Sequence, residues 1–168
     1  MISTKNKWKI IFFYFILFTS VNLFSQVKIH KSISTEDGLI DNSVLRIIQD
    51  SYGYMWFATK NGISKWDGNK FTNLTTSNGL TSPAIIDLLE SKDSTVYISN
   101  YRKGIVAYKE GIIDTINSSK GLSNDFVIRI RTHNGNPIFI SDKVQEYKNG
   151  ALNLIQSKAD QFETRPQE

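Results

Sequence analysis

The chain has 168 residues, 40% of them hydrophobic and 21% charged, with a formal net charge of +4. That length allows about one domain, and the composition is that of a folding globular chain rather than a disordered one. The absence of cysteine excludes a disulfide framework, a thiol nucleophile and any cysteine-held zinc or iron–sulfur site.

Residues 1–25 differ from the rest. Lys5, Lys7 and Lys9 precede the apolar run Ile10–Phe18, and a more polar stretch follows as far as Ser25. A basic start, a short apolar centre and a small residue before a cut form the layout of a secretory signal peptide, with Gln26 as the new N-terminus. An uncleaved anchor is the rival, but the nine strictly apolar residues fall short of the ~20 that cross a bilayer. No cysteine follows the run, so a lipoprotein anchor is excluded. Residues 1–25 hold three lysines and no acid, which leaves +1 for the remainder (4 − 3). A nearly neutral body lacks the basic footprint of nucleic-acid binding.

After the signal, "VKIHKSIS" (Val27 to Ser34) reads as one leading strand. Then a repeat begins. Gly38-Leu39, Gly79-Leu80 and Gly121-Leu122 stand 41 and 42 residues apart. Six residues after each glycine comes Val44, Ile85 or Val127, and 18 residues after it comes an aromatic: Trp56, Tyr97 or Phe139. A turn signal closes each copy at Asp67-Gly68, Glu110-Gly111 and Asn149-Gly150. Within the first copy, "NSVLRIIQD", "YMWFAT", "ISKWD" and "KFTNLT" are β-favouring runs separated by "SYG", by "KNG" ending at Gly62, and by a tight turn at Gly68. The second copy reads "AIIDLLE", "TVYISN", "GIVAYKE", "IIDTIN"; the third reads "FVIRIRT", "PIFISD", "VQEYK", "ALNLIQ". Four short strands joined by Gly and Asn turns match hairpin signals and not helical spacing.

Four-stranded units with a period near 40 residues are the mark of propeller blades. The expected fold is all-β: a partial β-propeller over residues 26–156, with three four-stranded blades after the leading strand. Residues 157–168 read as a polar tail or a truncated next repeat. Stacking of blades is expected to bury Trp56, Tyr97 and Phe139 between neighbours. Asp50 and Gly53 are expected to shape a turn, the aspartate capping backbone amides and the glycine supplying positive φ. Asp67-Gly68 reads the same way, and the acid spacing of a calcium loop is absent.

The stretch "GLIDNSVLRIIQDSYGYMWFATKNGISKWDG" resembles the two-component regulator propeller repeat. It matches at Gly38, Leu39, Asn42, Val44, Ile47, Gln49, Asp50, Gly53, Trp56, Thr59, Gly62, Asp67 and Gly68, while Ile63 and Trp66 replace Leu and Tyr. The later copies keep the frame and lose much of the signature: Asp50 becomes Ser91 and His133, and Thr59 becomes Asn100 and Asp142. The resemblance covers roughly residues 28–156. It implies the periplasmic sensor half of a Bacteroidetes-type hybrid two-component histidine kinase, exported to the periplasm or cell envelope of a Gram-negative bacterium, a setting in which oligosaccharides are often the ligand. The kinase part is not in this chain, whose two histidines, His30 and His133, lack a kinase-like context. Three blades do not close a ring, for which about four is the usual minimum. The expectation is an N-terminal part of a longer product; the alternative is a secreted interaction protein that self-assembles through open blade edges. Membrane contact is expected only through an uncleaved signal or a further C-terminal span.

Strand alternation predicts where a site lies. The turn after the outer strand and the turn between the second and third strands emerge on one face, which carries "SNGLTS", "NYRKG", "KNG" and "DNS". Tyr101, Arg102 and Lys103 place an aromatic beside cations, a chemistry suited to the hydroxyls or carboxylates of an oligosaccharide or another small ligand. Trp66, on a less buried strand, is a fourth candidate contact. No catalytic, cofactor-binding or metal residues are expected, because the repeats align no paired acids or base on one channel.

Overall fold

The computed structural model describes residues 32–155. The signal segment, the leading strand as far as residue 31 and the tail 157–168 lie outside the described residues. Twelve strands form three four-stranded antiparallel sheets, each a meander. The first is β1 (Val44–Gln49), β2 (Met55–Thr59), β3 (Ile63–Trp66) and β4 (Phe71–Leu74). The second is β5 (Ile85–Glu90), β6 (Val96–Asn100), β7 (Ile105–Lys109) and β8 (Ile112–Ile116). The third is β9 (Arg129–His133), β10 (Asn136–Ile140), β11 (Val144–Lys148) and β12 (Ala151–Leu154). These are three propeller blades, in the order expected, with no α-helix among the described residues.

Each blade is entered through the same turn. The amides of Leu39, Leu80 and Leu122 donate to the carbonyls of Ser34, Thr75 and Asn117. The glycine before each leucine has positive φ, and the leucine is buried. Gly79 has a second reason to be glycine: a Cβ there would lie 2.2 Å from Ile113 Cδ1 on the outer strand.

Blades stack face to face because a four-stranded sheet cannot bury both of its surfaces alone. Between the first two blades, Trp56, Ala58 and Ile63 meet Leu88, Val96, Ile98 and Val106. Between the second and third, Tyr97 and Ile105 meet Ile130 and Phe139. An aromatic handover recurs at both junctions: Trp56 stands edge-on to Tyr108 at 5.1 Å, and Tyr97 edge-on to Tyr147 at 6.1 Å.

The third aromatic is buried between neighbours as expected, but it faces the other way. The β1–β2 and β5–β6 hairpins close with three residues between the closing pairs Asp50–Tyr54 and Ser91–Thr95. The β9–β10 hairpin closes with two, Asn134 and Gly135, both at positive φ, the pattern of a type I′ turn. One residue fewer in the turn flips every later side chain to the other face. Phe139 pairs with Ile130 as Ile98 pairs with Leu88, so it receives Tyr97 from the second blade instead of projecting towards a following one. Ile138 is the counterpart of Trp56 and Tyr97. By the same shift Ser141, not Asp142, corresponds to Thr59 and Asn100.

Polar contacts tie all three blades together. Asp87 on β5 is 1% exposed. Its carboxylate accepts from the Ile130 amide at 2.9 Å and from Arg131 Nη1 at 3.3 Å, both on the third blade. Arg46 Nε of the first blade lies 2.7 Å from Oδ1. That contact is ionic and off the hydrogen-bond direction, since Arg46 Nε has no hydrogen-bond partner.

Two stability outcomes follow and are checked by denaturant unfolding of the full chain. Phe139→Ala loses about 3–5 kcal/mol as a large buried ring, and Ile138→Ala, half-buried on the opposite face, loses less than half of that. Asp87→Ala loses about 3–5 kcal/mol, because two arginines and a buried amide are left without their acid.

Candidate functional site

The strand directions place the β2–β3, β6–β7 and β10–β11 turns on one face of the blades, together with the segments that enter each blade. Backbone bonds hold the central turn of this face from both sides. The Tyr101 amide donates to Ala84 O at 2.9 Å, and the Gly104 amide donates to Asp125 O at 2.9 Å. Thr81 Oγ1 donates to Lys103 O at 3.2 Å. Arg102 sits at φ +53, a left-handed conformation that a non-glycine residue holds only when its surroundings impose it.

This arrangement brings Tyr101 and Arg102 together with a residue the sequence reading did not select. Tyr101 and Phe126 meet edge-to-face at 5.4 Å, and both rings are part-exposed. The Arg102 guanidinium carbon lies 5.5 Å from the Tyr101 centroid and 5.8 Å from that of Phe126. A cleft of about 460 Å³ is lined by Arg102, Ser118, Asn124, Asp125 and Phe126. Asp125 already accepts from the Ser118 amide at 2.6 Å and from its hydroxyl at 3.0 Å. A guanidinium therefore faces the opening beside two rings. A signal for Phe126 was available: it stands where the other two copies have Ser43 and Ala84.

Trp66 does not join this group. It pairs with Met55 at the far end of β3 and packs on Phe71 at 4.6 Å. Its register makes it the counterpart of Tyr108 and Tyr147, the rings that receive the aromatic of a preceding blade. Lys103 is exposed and shares the Tyr101 turn.

The opposite face carries the hairpin turns and two clefts, one at each blade junction. In the first turn Asp50 is buried, and its Oδ1 accepts from the amides of Tyr52 at 3.1 Å and Tyr54 at 2.9 Å. Its Oδ2 accepts from Trp56 Nε1 at 2.7 Å. The carboxylate thus shapes the turn and holds the indole in one orientation. The opening beside it is about 410 Å³ and is lined by Tyr52, Tyr54, Trp56, Lys65, Tyr108 and Glu110 among others. The second junction holds an opening of about 440 Å³ with more polar walls, including Ser91, Lys92, Asp93, Tyr97 and Tyr147. There burial pushes the Asp93 carboxyl up, but hydrogen bonds from Ser91, Thr95 and Lys109 outweigh it and hold the group below the usual carboxylate range. Burial pushes the Tyr97 hydroxyl up to about 12. Among the described residues no group of three or more His, Cys, Asp or Glu is placed to hold a metal.

The fold defines a stack of β-propeller blades, and comparison with known proteins narrows it. Residues 38–61 match the family described as two component regulator propeller. That match spans the entry segment and the first two strands of the first blade. A stretch of 43 residues is 42% identical to histidine kinase P4 of Formosa agariphila, covering 26% of this chain and 3% of that protein. The extracellular domain of a hybrid two component system from B. thetaiotaomicron has a similar fold, with TM-score 0.62 and 21% identity over 71% of this chain and 17% of the solved one. The chain corresponds to a small share of either protein's length.

The Asp93 environment sets a pH dependence. A carboxyl held low in the folded state adds stability above its unfolded value of about 3.9, and that stability is lost as pH falls through the folded value. Between about pH 5 and pH 2, Asp93→Asn is expected to lose less stability than the parent chain, measured as the difference between unfolding midpoints at the two pH values.

Proposed function

We propose that this chain is an exported, ligand-sensing propeller module of the two-component type, acting in the periplasm or cell envelope. It has no chemistry of its own, and its output lies in a kinase elsewhere in a longer protein. The observation that carries this reading is the Tyr101, Arg102 and Phe126 group. Its turn is held by bonds to the entry segments of two blades, and its cation faces a cleft. An aromatic and a guanidinium carried on a held turn suit a ligand rich in hydroxyls or carrying a carboxylate, an oligosaccharide above all. The layout of residues 1–25 supports export. The repeat at 38–61 supports the two-component setting.

A second reading is favoured by one feature. On the first blade Leu45 and Ile47 are 53% and 50% exposed, on the sheet surface that corresponds to the one receiving Trp56 on the second blade. Such a surface suits another blade, supplied by more of a longer chain or by a second copy of this one.

The test of the first reading is affinity for an array of neutral and acidic oligosaccharides. The triple variant Tyr101→Ala, Arg102→Ala, Lys103→Ala is expected to lose at least about tenfold for the best ligand, without a change in the unfolding midpoint large enough to indicate collapse. Unchanged affinity ends this assignment of the site. For the second reading, light scattering on the full chain is expected to show association that Ile47→Lys weakens; a monomer at all concentrations removes self-assembly.

A further inference from the structure

The two clefts on the hairpin face occupy equivalent places, one at each blade junction, yet they differ in what faces their rings. In the second, the lining acid Asp93 is taken by Lys109, which does not itself line the cleft: Nζ lies 3.2 Å from Asp93 Oδ2. In the first, Lys65 has no carboxylate partner among the described residues. Its ammonium lies 3.9 Å from the Tyr54 centroid, 5.0 Å from Trp56 and 5.6 Å from Tyr108. The position is specific to this junction. Lys65 pairs across the strands with Trp56, and the corresponding partner of Tyr97 is Ala107.

Three rings satisfy an ammonium in part, by attraction to their negative faces. They leave its hydrogen-bond donors without an ionic acceptor. The walls around it are aromatic and apolar with two acids, Asp50 and Glu110, neither of which forms an ion pair with Lys65, and Tyr52 stands 63% exposed at the rim. A cation already inside the aromatic walls repels a second cation. It attracts an anion that also presents a surface for the rings. The Asp50 carboxylate, engaged by two amides and the indole, keeps the Trp56 wall in place.

From this geometry we infer that the cleft between the first two blades is a second binding site, for a small carboxylate with one apolar face. The Lys65 ammonium takes the carboxylate, and Tyr52 and Tyr108 take the apolar face. Acidic sugars and aromatic acids share this chemistry. The site is at the other end of the strands from Tyr101 and does not depend on the ligand proposed there.

The experiment is calorimetric titration of the full chain with glucuronate, benzoate and glucose. At least one carboxylate is expected to bind, with glucose at least about tenfold weaker. Lys65→Gln and, separately, Tyr52→Ala are each expected to lower that affinity by about tenfold. Tyr52 is at an exposed turn tip, so its variant tests the site even where Lys65→Gln disturbs the sheet. Lys109→Gln and the Tyr101, Arg102, Lys103 triple alanine variant are expected to stay within about twofold of the parent. Preference for glucuronate points to an acidic sugar and preference for benzoate to an aromatic acid, and either supports the site. The inference is overturned by equal affinity for glucose, by unchanged affinity in Lys65→Gln or Tyr52→Ala, by loss in the triple variant, or by no binding of either carboxylate at about 10 mM.

Discussion

The indole of Trp56 held edge-on to Tyr108 is the contact on which most of this molecule depends. A four-stranded antiparallel sheet has two surfaces, and one sheet alone leaves at least one of them in water. The chain answers by sending a ring from the second strand of one blade onto the third strand of the next. Tyr97 on Tyr147 repeats the arrangement one blade on. Around each ring the aliphatic residues of the inner strands close the gap. The Trp56 ring is fixed twice, by packing and by its bond to Asp50, so one turn residue sets both the hairpin and the junction. The same ring then forms a wall of the cleft that holds Lys65.

Where the rings do not reach, charge does. Asp87 collects an amide and a guanidinium from the blade after it and a guanidinium from the blade before it. A carboxylate buried this far is costly unless its partners are in place. It therefore acts less as an added source of stability than as a demand on the spacing of three blades. The loop faces inherit that spacing. Tyr101 meets Phe126 because the Gly104 amide is bound to Asp125 at the entry of the third blade.

Much of this was legible in the amino-acid order, and the exceptions are instructive. The Gly-Leu pairs mark the blade entries because a left-handed glycine and a buried leucine are local demands. The four-strand count is also local, being set by turn residues at short range. Phe139 is buried between blades as its phase implied, but phase in number is not phase in register. Counting from Gly121 places it with Trp56 and Tyr97, but the two-residue Asn134-Gly135 turn removes one residue from the count and turns the ring to the other surface. Trp66 differs in another way. It was read as a candidate contact on a less buried strand, and its place in the sheet is that of a receiving ring. Phe126 was missed because it lies far from Tyr101 in the chain and carries no motif.

The sequence by itself determined the class of fold: three repeats, four strands in each, their turns, and the repeat signature in the first. Those follow from short-range chemistry, the freedom of glycine, the capping by Asp50 and the alternation of side chains along a strand. Tertiary structure alone decided which residues meet. It placed Lys65 among three rings with no carboxylate partner among the described residues, paired Lys109 with Asp93, and gathered Arg46, Asp87 and Arg131 across blades. These are contacts between residues about 10 to 45 positions apart, and they depend on register and on the angle between sheets. A shift of one residue in a hairpin changes them all while leaving every local signal in place.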